Sequence, residues 1–242
     1  MRAIILAGGR GTRLAPYTNV VPKPLLPVGD KSILEIVCRQ LVDAGFTRIT
    51  LSLGYMREYF KIFLAQNRDL RQLVDIDYIE EDNPTGTAGS LSQIPDLEGT
   101  FLVMNGDILT DLNYRELIRH HQESDAYVTI AAHSKQVKID LGILEMNESQ
   151  EVVGYIEKPT MTYPVSMGIY VYDSRALDFI VPDEYLDFPT LILKLIAANK
   201  KVTGFQNSAS WLDLGRFEDF QEACRIFQTN EDQYVPRQRK AA

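Results

Sequence analysis

An apolar run, Ile4-Ile5-Leu6-Ala7, empties directly into Gly8-Gly9-Arg10-Gly11-Thr12-Arg13-Leu14. A short run, apolar at every position and stopped by glycines, reads as a strand buried on both faces. Its C-terminal end leaves backbone N–H groups bare, and such groups are what a phosphate chain binds. A second loop follows closely, Pro22-Lys23-Pro24-Leu25-Leu26-Pro27-Val28, whose prolines fix φ and stiffen the stretch presenting Lys23. Arg10, Arg13 and Lys23 bring positive charge to the same end, so the segment reads as a cradle for a polyphosphate. An ordinary glycine-rich turn with surface basic residues is the plainer reading, and the Pro-Lys-Pro loop at this distance weighs against it.

Spacing tests the competing phosphate motifs. A dinucleotide fingerprint needs G-x-G-x-x-G, and Gly9-Arg10-Gly11-Thr12-Arg13-Leu14 puts a leucine at the third glycine. A P-loop needs Gly-Lys-Ser/Thr to close it, and the chain has no such triplet.

Charge narrows the ligand. Lys and Arg number 25 against 33 Asp and Glu, a net charge of −8, which argues against a nucleic-acid surface. The basic N-terminal loops are therefore a local exception in an acidic chain, as a small anionic ligand requires. No apolar run approaches the roughly 20 residues of a membrane span, and Met1-Arg2 followed by a short strand is not the start expected of a signal peptide. Cys38 and Cys224 fall on expected helices far apart in sequence, which favours reduced thiols in a cytoplasmic protein. His120 and His121 read as the solvated end of a helix and, with His133, show no ligand spacing to the cysteines.

With 242 residues, 45% of them hydrophobic, the chain can bury one sizeable α/β core. Strands are expected at 2–7, 48–53, 74–80 and 100–104. Between them lie a helix that Ser32-Ile33-Leu34-Glu35 caps and Gly45 stops, and another near 55–66. Asn113 caps a further helix to about 123. This alternation argues for a largely parallel sheet covered on both faces. After residue 125 the pattern changes to strands at 125–132, 142–146, 152–156 and 165–172, which predicts antiparallel additions. Helices near 174–180 and 189–199, a strand at 202–206 and a helix from 217 to about 227 complete a domain over 1–228. Residues 229–242 read as a polar, frayed tail.

Two carboxylates stand out. Asp107 follows the apolar strand Phe101-Leu102-Val103-Met104, and ligands of open α/β sheets bind beyond the carboxyl ends of strands, which places Asp107 beside the Gly8-Gly9 loop. Asn105-Gly106-Asp107 is also ordinary turn chemistry. Asp213, in Trp211-Leu212-Asp213-Leu214-Gly215, supplies a second carboxylate, with a loop or capping role as its plainer reading. Two carboxylates converging on phosphates imply a hard divalent cation, Mg²⁺, held by one or two carboxylates plus phosphate oxygens.

Leu6-Ala7-Gly8-Gly9-x-Gly11-Thr12-Arg13-Leu14-x-Pro16-x-Thr18 followed by Pro22-Lys23-Pro24-Leu25-x-Pro27-Val28 closely resembles the signature of the sugar-1-phosphate nucleotidylyltransferases. Gly86-Thr87-Ala88-Gly89, Asn105-Gly106-Asp107, Glu157-Lys158-Pro159, Gly168-Ile169-Tyr170 and Trp211-Leu212-Asp213-Leu214-Gly215 resemble the later motifs of that family, in family order and across nearly the whole chain. The resemblance implies a Rossmann-like, doubly wound α/β fold with a mostly parallel sheet and an antiparallel sugar-binding extension. The C-terminal β-helix of larger relatives is not expected in a chain of this length. An NTP and a sugar 1-phosphate are the implied partners, with neither nucleic acid nor membrane, and with a homo-oligomer left open.

The same resemblance assigns roles. Arg13, Lys23 and Asp107 are the implied catalytic residues, Arg13 on the triphosphate and Lys23 on the α-phosphate. Leu6, Ala7, Gly8, Gly9, Gly11, Thr12, Glu81, Gly86 and Thr87 join them around the nucleotide, with Gly86 expected to let the backbone approach the base. Gly142, Glu157, Lys158, Ser166, Gly168 and Trp211 are implied for the sugar phosphate, with Lys158 as its clamp and Glu157 accepting from sugar hydroxyls. Tyr170 reads as pocket wall. Asp107 and Asp213 are the implied Mg²⁺ ligands. Ser166 stands where many relatives have asparagine, which leaves the sugar open.

Glu81 bears on the base. It lies five residues before Gly86, where thymidylyl- and uridylyltransferases tend to place a glutamine. A carboxylate only accepts hydrogen bonds, and guanine offers N1–H and N2–H side by side. That leans towards GTP with mannose 1-phosphate or a heptose 1-phosphate, although Glu80, Asp82 or Asn83 could make the contact, and Glu81 could be a solvated strand end. A dTTP- or UTP-dependent glucose-1-phosphate enzyme, a transferase for another phosphorylated acceptor and a catalytically silent regulatory subunit are the alternatives. A nicotinamide-dependent dehydrogenase is the weakest, given the failed glycine spacing.

Overall fold

The structure is a computed structural model and describes residues 1–235. Strand β1 (Arg2–Ala7) is followed by three short 3₁₀ turns, the last at Lys23–Leu25, and by the paired dipeptides β2 (Pro27–Val28) and β3 (Lys31–Ser32). Helix α1 (Ile33–Ala44) begins where the Ser32 side chain accepts from the Glu35 N–H, and it ends at Gly45 in the left-handed region, whose N–H returns to Leu41 and Val42. Then come β4 (Arg48–Leu53), α2 (Arg57–Gln66), α3 (Arg68–Leu73), β5 (Asp75–Glu80), the single turn α4 (Gly86–Gly89), β6 (Thr100–Asn105) and β7 (Ile108–Thr110). Helix α5 (Tyr114–Ser124) is capped by Asn113, as its sequence predicts.

The second half holds β8 (Val128–Lys138), β9 (Ile143–Met146), β10 (Val152–Ile156), β11 (Thr160–Asp173), α6 (Phe188–Ala197), β12 (Val202–Asn207), β13 (Trp211–Asp213) and α7 (Phe217–Tyr234). The segment expected as a helix near 174–180 is a 3₁₀ stretch, Ser174–Phe179.

Seven strands form the central sheet in the order β12-β8-β11-β6-β1-β4-β5. β5, β4, β1 and β6 are mutually parallel, and β12 pairs parallel to β8. Only β11 runs against its neighbours, β6 and β8. The sheet is thus more parallel than a run of antiparallel additions would give, because β8 re-enters in the direction of β6 with β11 laid between them. The antiparallel extension is the outer part of the β8–β11 ribbon together with the separate β9–β10 hairpin.

Alternation along β1 explains the two-sided burial. Ala3, Ile5 and Ala7 enter a core shared with α1, α5 and α7, while Ile4 faces a second core containing Leu91, Phe101, Tyr172, Phe188 and Leu191. At roughly 1.5–3 kcal/mol for each fully buried aliphatic side chain, these two layers hold the sheet.

Two sequence expectations need correction. α7 does not end near 227: it runs to Tyr234 through a kink at Asn230. Tyr234 is buried, its hydroxyl meets Ser210 Oγ at 2.9 Å, and its carbonyl accepts from Gln40 Nε2 at 2.8 Å. The polar composition after Thr229 hides this one anchoring tyrosine, so residues 229–234 are helix and not frayed; the Pro-Arg-Gln-Arg-Lys stretch lies outside the described residues. The second concerns His120 and His121. His121 is buried on the apolar face of α5 with Leu117 and Ile118, its Nδ1 lies 2.8 Å from Thr129 Oγ1, and burial lowers its pKa. Among the described residues both cysteines are free, and burial pushes the Cys38 thiol up to about 12.

Candidate active site

The parallel strands deliver one cleft of about 640 Å³ at their carboxyl ends. β1 contributes Leu6 and Ala7 and leads to Gly8 and Gly9; β4 contributes Ser52, with Gly54 and Tyr55 beyond its end; β5 leads to Glu81; β6 brings Asn105 and leads to Gly106 and Asp107. The order of connection reverses between β1 and β6, which is where open α/β sheets bind ligands. The Gly106 N–H bonds the Leu6 carbonyl at 3.0 Å and locks that crevice.

Arg10, Gly11, Arg13, Lys23 and Pro24 form the basic rim. Lys23 is buried at the start of its 3₁₀ turn, behind Pro22, and its ammonium donates to Asp107 Oδ2. It also stands 3.8 Å from Asp213 Oδ1. Asp213 arrives from far along the chain because β13 pairs antiparallel with β7, with Asp213 opposite Ile108. Burial, then the Asp107 charge, raises the Asp213 carboxyl above its ordinary range; Lys23 and Arg13 pull it the other way.

Of the acidic residues at the end of β5, Glu81 and Asp82 line the cleft. Glu80 turns outward to Arg57 at 3.0 Å and Lys61 at 2.8 Å. Glu81 is half-buried and is not a solvated strand end. Ser52 Oγ donates to its Oε1, while the Thr85 hydroxyl and N–H donate to Oε2 at 3.2 and 3.4 Å.

Gly86 and Thr87 line the same wall, and the chain itself requires a glycine at 86. Its φ is +83°, and a Cβ there would lie 2.5 Å from the Leu186 carbonyl oxygen. That carbonyl accepts from the N–H groups of Ala88 and Gly89, and the Phe188 N–H bonds Thr87 Oγ1, so the 184–188 segment closes the cleft wall. Thr12 is exposed on its own turn and is not part of the lining.

The residues implied for the sugar phosphate divide into two groups. Ser166, Gly168 and Trp211 gather at the irregularity in β11, where the register with β8 shifts between Ser166 and Tyr170. Ser166 Oγ donates to the Tyr170 hydroxyl at 3.1 Å, and Trp211 Nε1 donates to the Met167 carbonyl at 2.9 Å. Gly168, at φ +72°, comes so close to Asn105 that a Cβ would fall 2.7 Å from its amide nitrogen. This group therefore backs Asn105 of the cleft, and Tyr170 lies outside the cleft lining, in the second core, stacked on Phe188 at 3.5 Å between ring centroids.

Gly142, Glu157 and Lys158 form the second group, on the β9–β10 hairpin and its root. Glu157 accepts from the Tyr155 hydroxyl at 2.9 Å, Lys158 pairs with Glu157 at 3.6 Å, and both are exposed outside the lining of the cleft. Ser52, Gly54, Tyr55 and Tyr185 line the cleft without having been singled out in the sequence. Position just after a parallel strand could have pointed to Gly54 and Tyr55; Tyr185, in the loop before α6, had no such signal.

The model of the nucleotidyl transferase family matches residues 2–230. A UTP–glucose-1-phosphate uridylyltransferase of Synechocystis is 27% identical over 93% of the chain and 63% of its own length. A mannose-1-phosphate guanylyltransferase of Mycobacterium tuberculosis is 29% identical over 90% of the chain and 62% of its own length. The chain thus spans about three-fifths of the curated relatives it matches. A crystal structure of HddC from Yersinia pseudotuberculosis complexed with GMP-PN superposes with a TM-score of 0.71 at 26% identity, covering 93% of this chain and 99% of that one.

Proposed function

The chain belongs to the nucleotidyl transferase family, and we propose that it transfers a nucleoside monophosphate from an NTP to a sugar 1-phosphate. GTP is the donor we assign, with mannose 1-phosphate or a heptose 1-phosphate as acceptor. The observation that carries the reading is Lys23, whose buried ammonium reaches both Asp107 and Asp213 at the rim of a glycine-lined cleft. The guanylyl relative and the GMP-PN complex support the choice of base.

A sugar phosphate has a second pKa of roughly 6 and is mostly ionised at neutral pH, so the nucleophile needs no general base. One of its phosphate oxygens attacks the α-phosphorus, the bond from that phosphorus to the bridging oxygen breaks, and pyrophosphate leaves with the electron pair. Positioning and charge neutralisation are what the protein supplies. Gly8, Gly9 and Gly11 offer main-chain N–H groups to the phosphates, Arg13 faces the triphosphate, and Lys23 is near enough to the carboxylates to serve the α-phosphate. Lys158 and Glu157 would meet the sugar phosphate from the hairpin.

The donor set fits Mg²⁺. Two carboxylates brought together beside Lys23 suit a hard cation, and among the described residues no three His, Cys, Asp or Glu side chains gather to hold an ion alone. Asp107 and Asp213 would hold it jointly with phosphate oxygens, and the ion would supply further neutralisation of the triphosphate. Free cysteines accord with a cytoplasmic location.

The test is pyrophosphate release with each NTP against a panel of sugar 1-phosphates in Mg²⁺. GTP with mannose 1-phosphate or a heptose 1-phosphate should give the highest kcat/KM. A higher value with UTP or dTTP would reject the assignment of the base, and no release with any pair would reject the activity.

A further inference from the structure

The cleft is lined by both signs of charge. Arg10, Arg13 and Lys23 form its basic rim, while Glu81 and Asp82 line it at the end of β5. Tyr185 lines the same cleft from the loop before α6, and that loop is acidic. Asp183, Glu184 and Asp187 flank the tyrosine, and no Lys or Arg lies between Arg175 and Lys194.

The main chain around Tyr185 is fixed. The Leu186 N–H donates to the Thr85 carbonyl at 2.8 Å, and the Leu186 carbonyl accepts from the N–H groups of Ala88 and Gly89 at 3.0 Å each. The Glu184 carbonyl presses on Gly89, where a Cβ would come within 2.9 Å of its oxygen. Leu186 and Phe188 are buried in the second core. Tyr185 is instead 71% exposed, and among the described residues its ring has no aromatic partner and its hydroxyl no hydrogen bond. A stiff segment thus presents one bare aromatic ring to the cleft.

We infer that Tyr185 stacks on the base of the bound nucleotide, an inference that rests on reading the cleft as an NTP site. Charge chooses the part of the ligand. An acidic loop repels phosphates, which the basic rim attracts, and accepts an uncharged ring. Connectivity chooses the neighbour. The Thr85 hydroxyl and N–H donate to Glu81 Oε2, and the Thr85 carbonyl accepts from Leu186, so Glu81 and the Tyr185 loop belong to one hydrogen-bonded unit. The carboxylate reads the edge of a base and leaves its faces bare; the tyrosine covers one of them. Stacking tolerates any base because each has a π-face. A purine buries more of that face than a pyrimidine. Glu81 therefore separates one purine from another, and Tyr185 favours purines as a class.

Isothermal titration calorimetry of the full chain in Mg²⁺ with GTP, ATP, UTP and inorganic tripolyphosphate tests this. Tyr185→Ala should weaken GTP about tenfold or more, ATP by a similar factor and UTP by less. Tripolyphosphate should stay within about twofold of wild type, because it offers no ring to stack. Tyr185→Phe keeps the ring and should hold GTP within about twofold. Neither change should alter the circular dichroism spectrum, since the side chain is exposed. GTP affinity unchanged in Tyr185→Ala, a loss that tripolyphosphate shares equally, or a phenylalanine variant as weak as the alanine one would overturn the inference. So would a raised KM for the sugar 1-phosphate with GTP affinity intact, because the ring would then face the acceptor. A wild-type chain that prefers UTP rejects the assignment of guanine alone, and the same two variants then decide Tyr185 with UTP. A chain that binds no NTP more tightly than tripolyphosphate rejects both.

Discussion

Leu214 gives its backbone N–H to the carbonyl of Asp107 at 3.1 Å, so main chain staples together the two segments that bear the carboxylates. The β7–β13 ribbon does the rest, with Asp213 opposite Ile108 and Trp211 opposite Thr110. A pair of acids more than a hundred residues apart is thereby held by backbone, with Lys23 as the cation that both carboxylates share.

Asp107→Asn keeps the shape of that pair and removes one charge. Lys23 retains Asp213 as a partner, so the fold should persist, with an unchanged circular dichroism spectrum. Turnover should fall by about 10²–10³ or more, the scale for losing a group that stabilises transferring charge. Pyrophosphate release at saturating Mg²⁺ that stayed within about threefold of wild type would remove Asp107 from the chemistry.

Asp213 makes a prediction about pH. Its carboxyl is held above the ordinary range, chiefly by burial and then by Asp107. The folded protein therefore binds this proton more tightly than the unfolded chain. The associated stability is fully present below the ordinary carboxylate range, is lost as pH rises through the raised one, and stays lost above it. Without Mg²⁺, the Tm of Asp213→Asn should gain on that of wild type across this window and remain ahead at neutral pH. Adding Mg²⁺ should favour wild type instead. A Tm difference that does not change with pH would show that the charge of Asp213 carries no penalty.

Tyr234 tests the corrected end of the domain. It is buried with Phe227, its hydroxyl is bonded to Ser210 and its carbonyl to Gln40. Tyr234→Ala opens a cavity costing about 3–5 kcal/mol, which lowers the Tm of a domain this size by roughly 6–20 °C. A chain truncated after residue 228 should lose at least as much. A truncated chain melting with wild type would restore the reading of 229–242 as a loose tail.

What could be read in the sequence follows from how local each signal is. β1, the glycine loop and the capped helices α1 and α5 were legible because period, cap and stop lie within a dozen residues. Asp107 was legible from its place after an apolar strand. The nearness of Asp213 to Asp107 came only from family resemblance, since it depends on the pairing of β7 with β13. The direction of β8 was hidden for a similar reason: apolar alternation fixes a strand's faces and says nothing of which neighbour it joins. Tyr234 was missed because one buried aromatic in a polar stretch leaves no period. His121 was misread because a histidine at the i+4 position from Leu117 looks polar in a sequence, yet here it packs inward and finds Thr129.

Glu81 carries the assignment of the base, and its surroundings sharpen the test. Its carboxylate accepts from Ser52 Oγ on one oxygen and from Thr85 on the other, and a carboxylate has about four acceptor sites. One site is open, and the Thr85 N–H at 3.4 Å is the weakest bond to displace, so two adjacent N–H donors such as N1–H and N2–H of guanine can be taken. Glu81→Gln replaces an acceptor by a donor at one of these points. It should lower kcat/KM for GTP by roughly 10- to 150-fold, the value of a charged hydrogen bond of about 1.5–3 kcal/mol, and should narrow or reverse the preference over UTP. Ser52→Ala leaves the carboxylate in place but frees one oxygen, so it should raise KM for GTP with little change in kcat. Loss of GTP and UTP activity in equal proportion in Glu81→Gln would mean that Glu81 shapes the wall without reading the base.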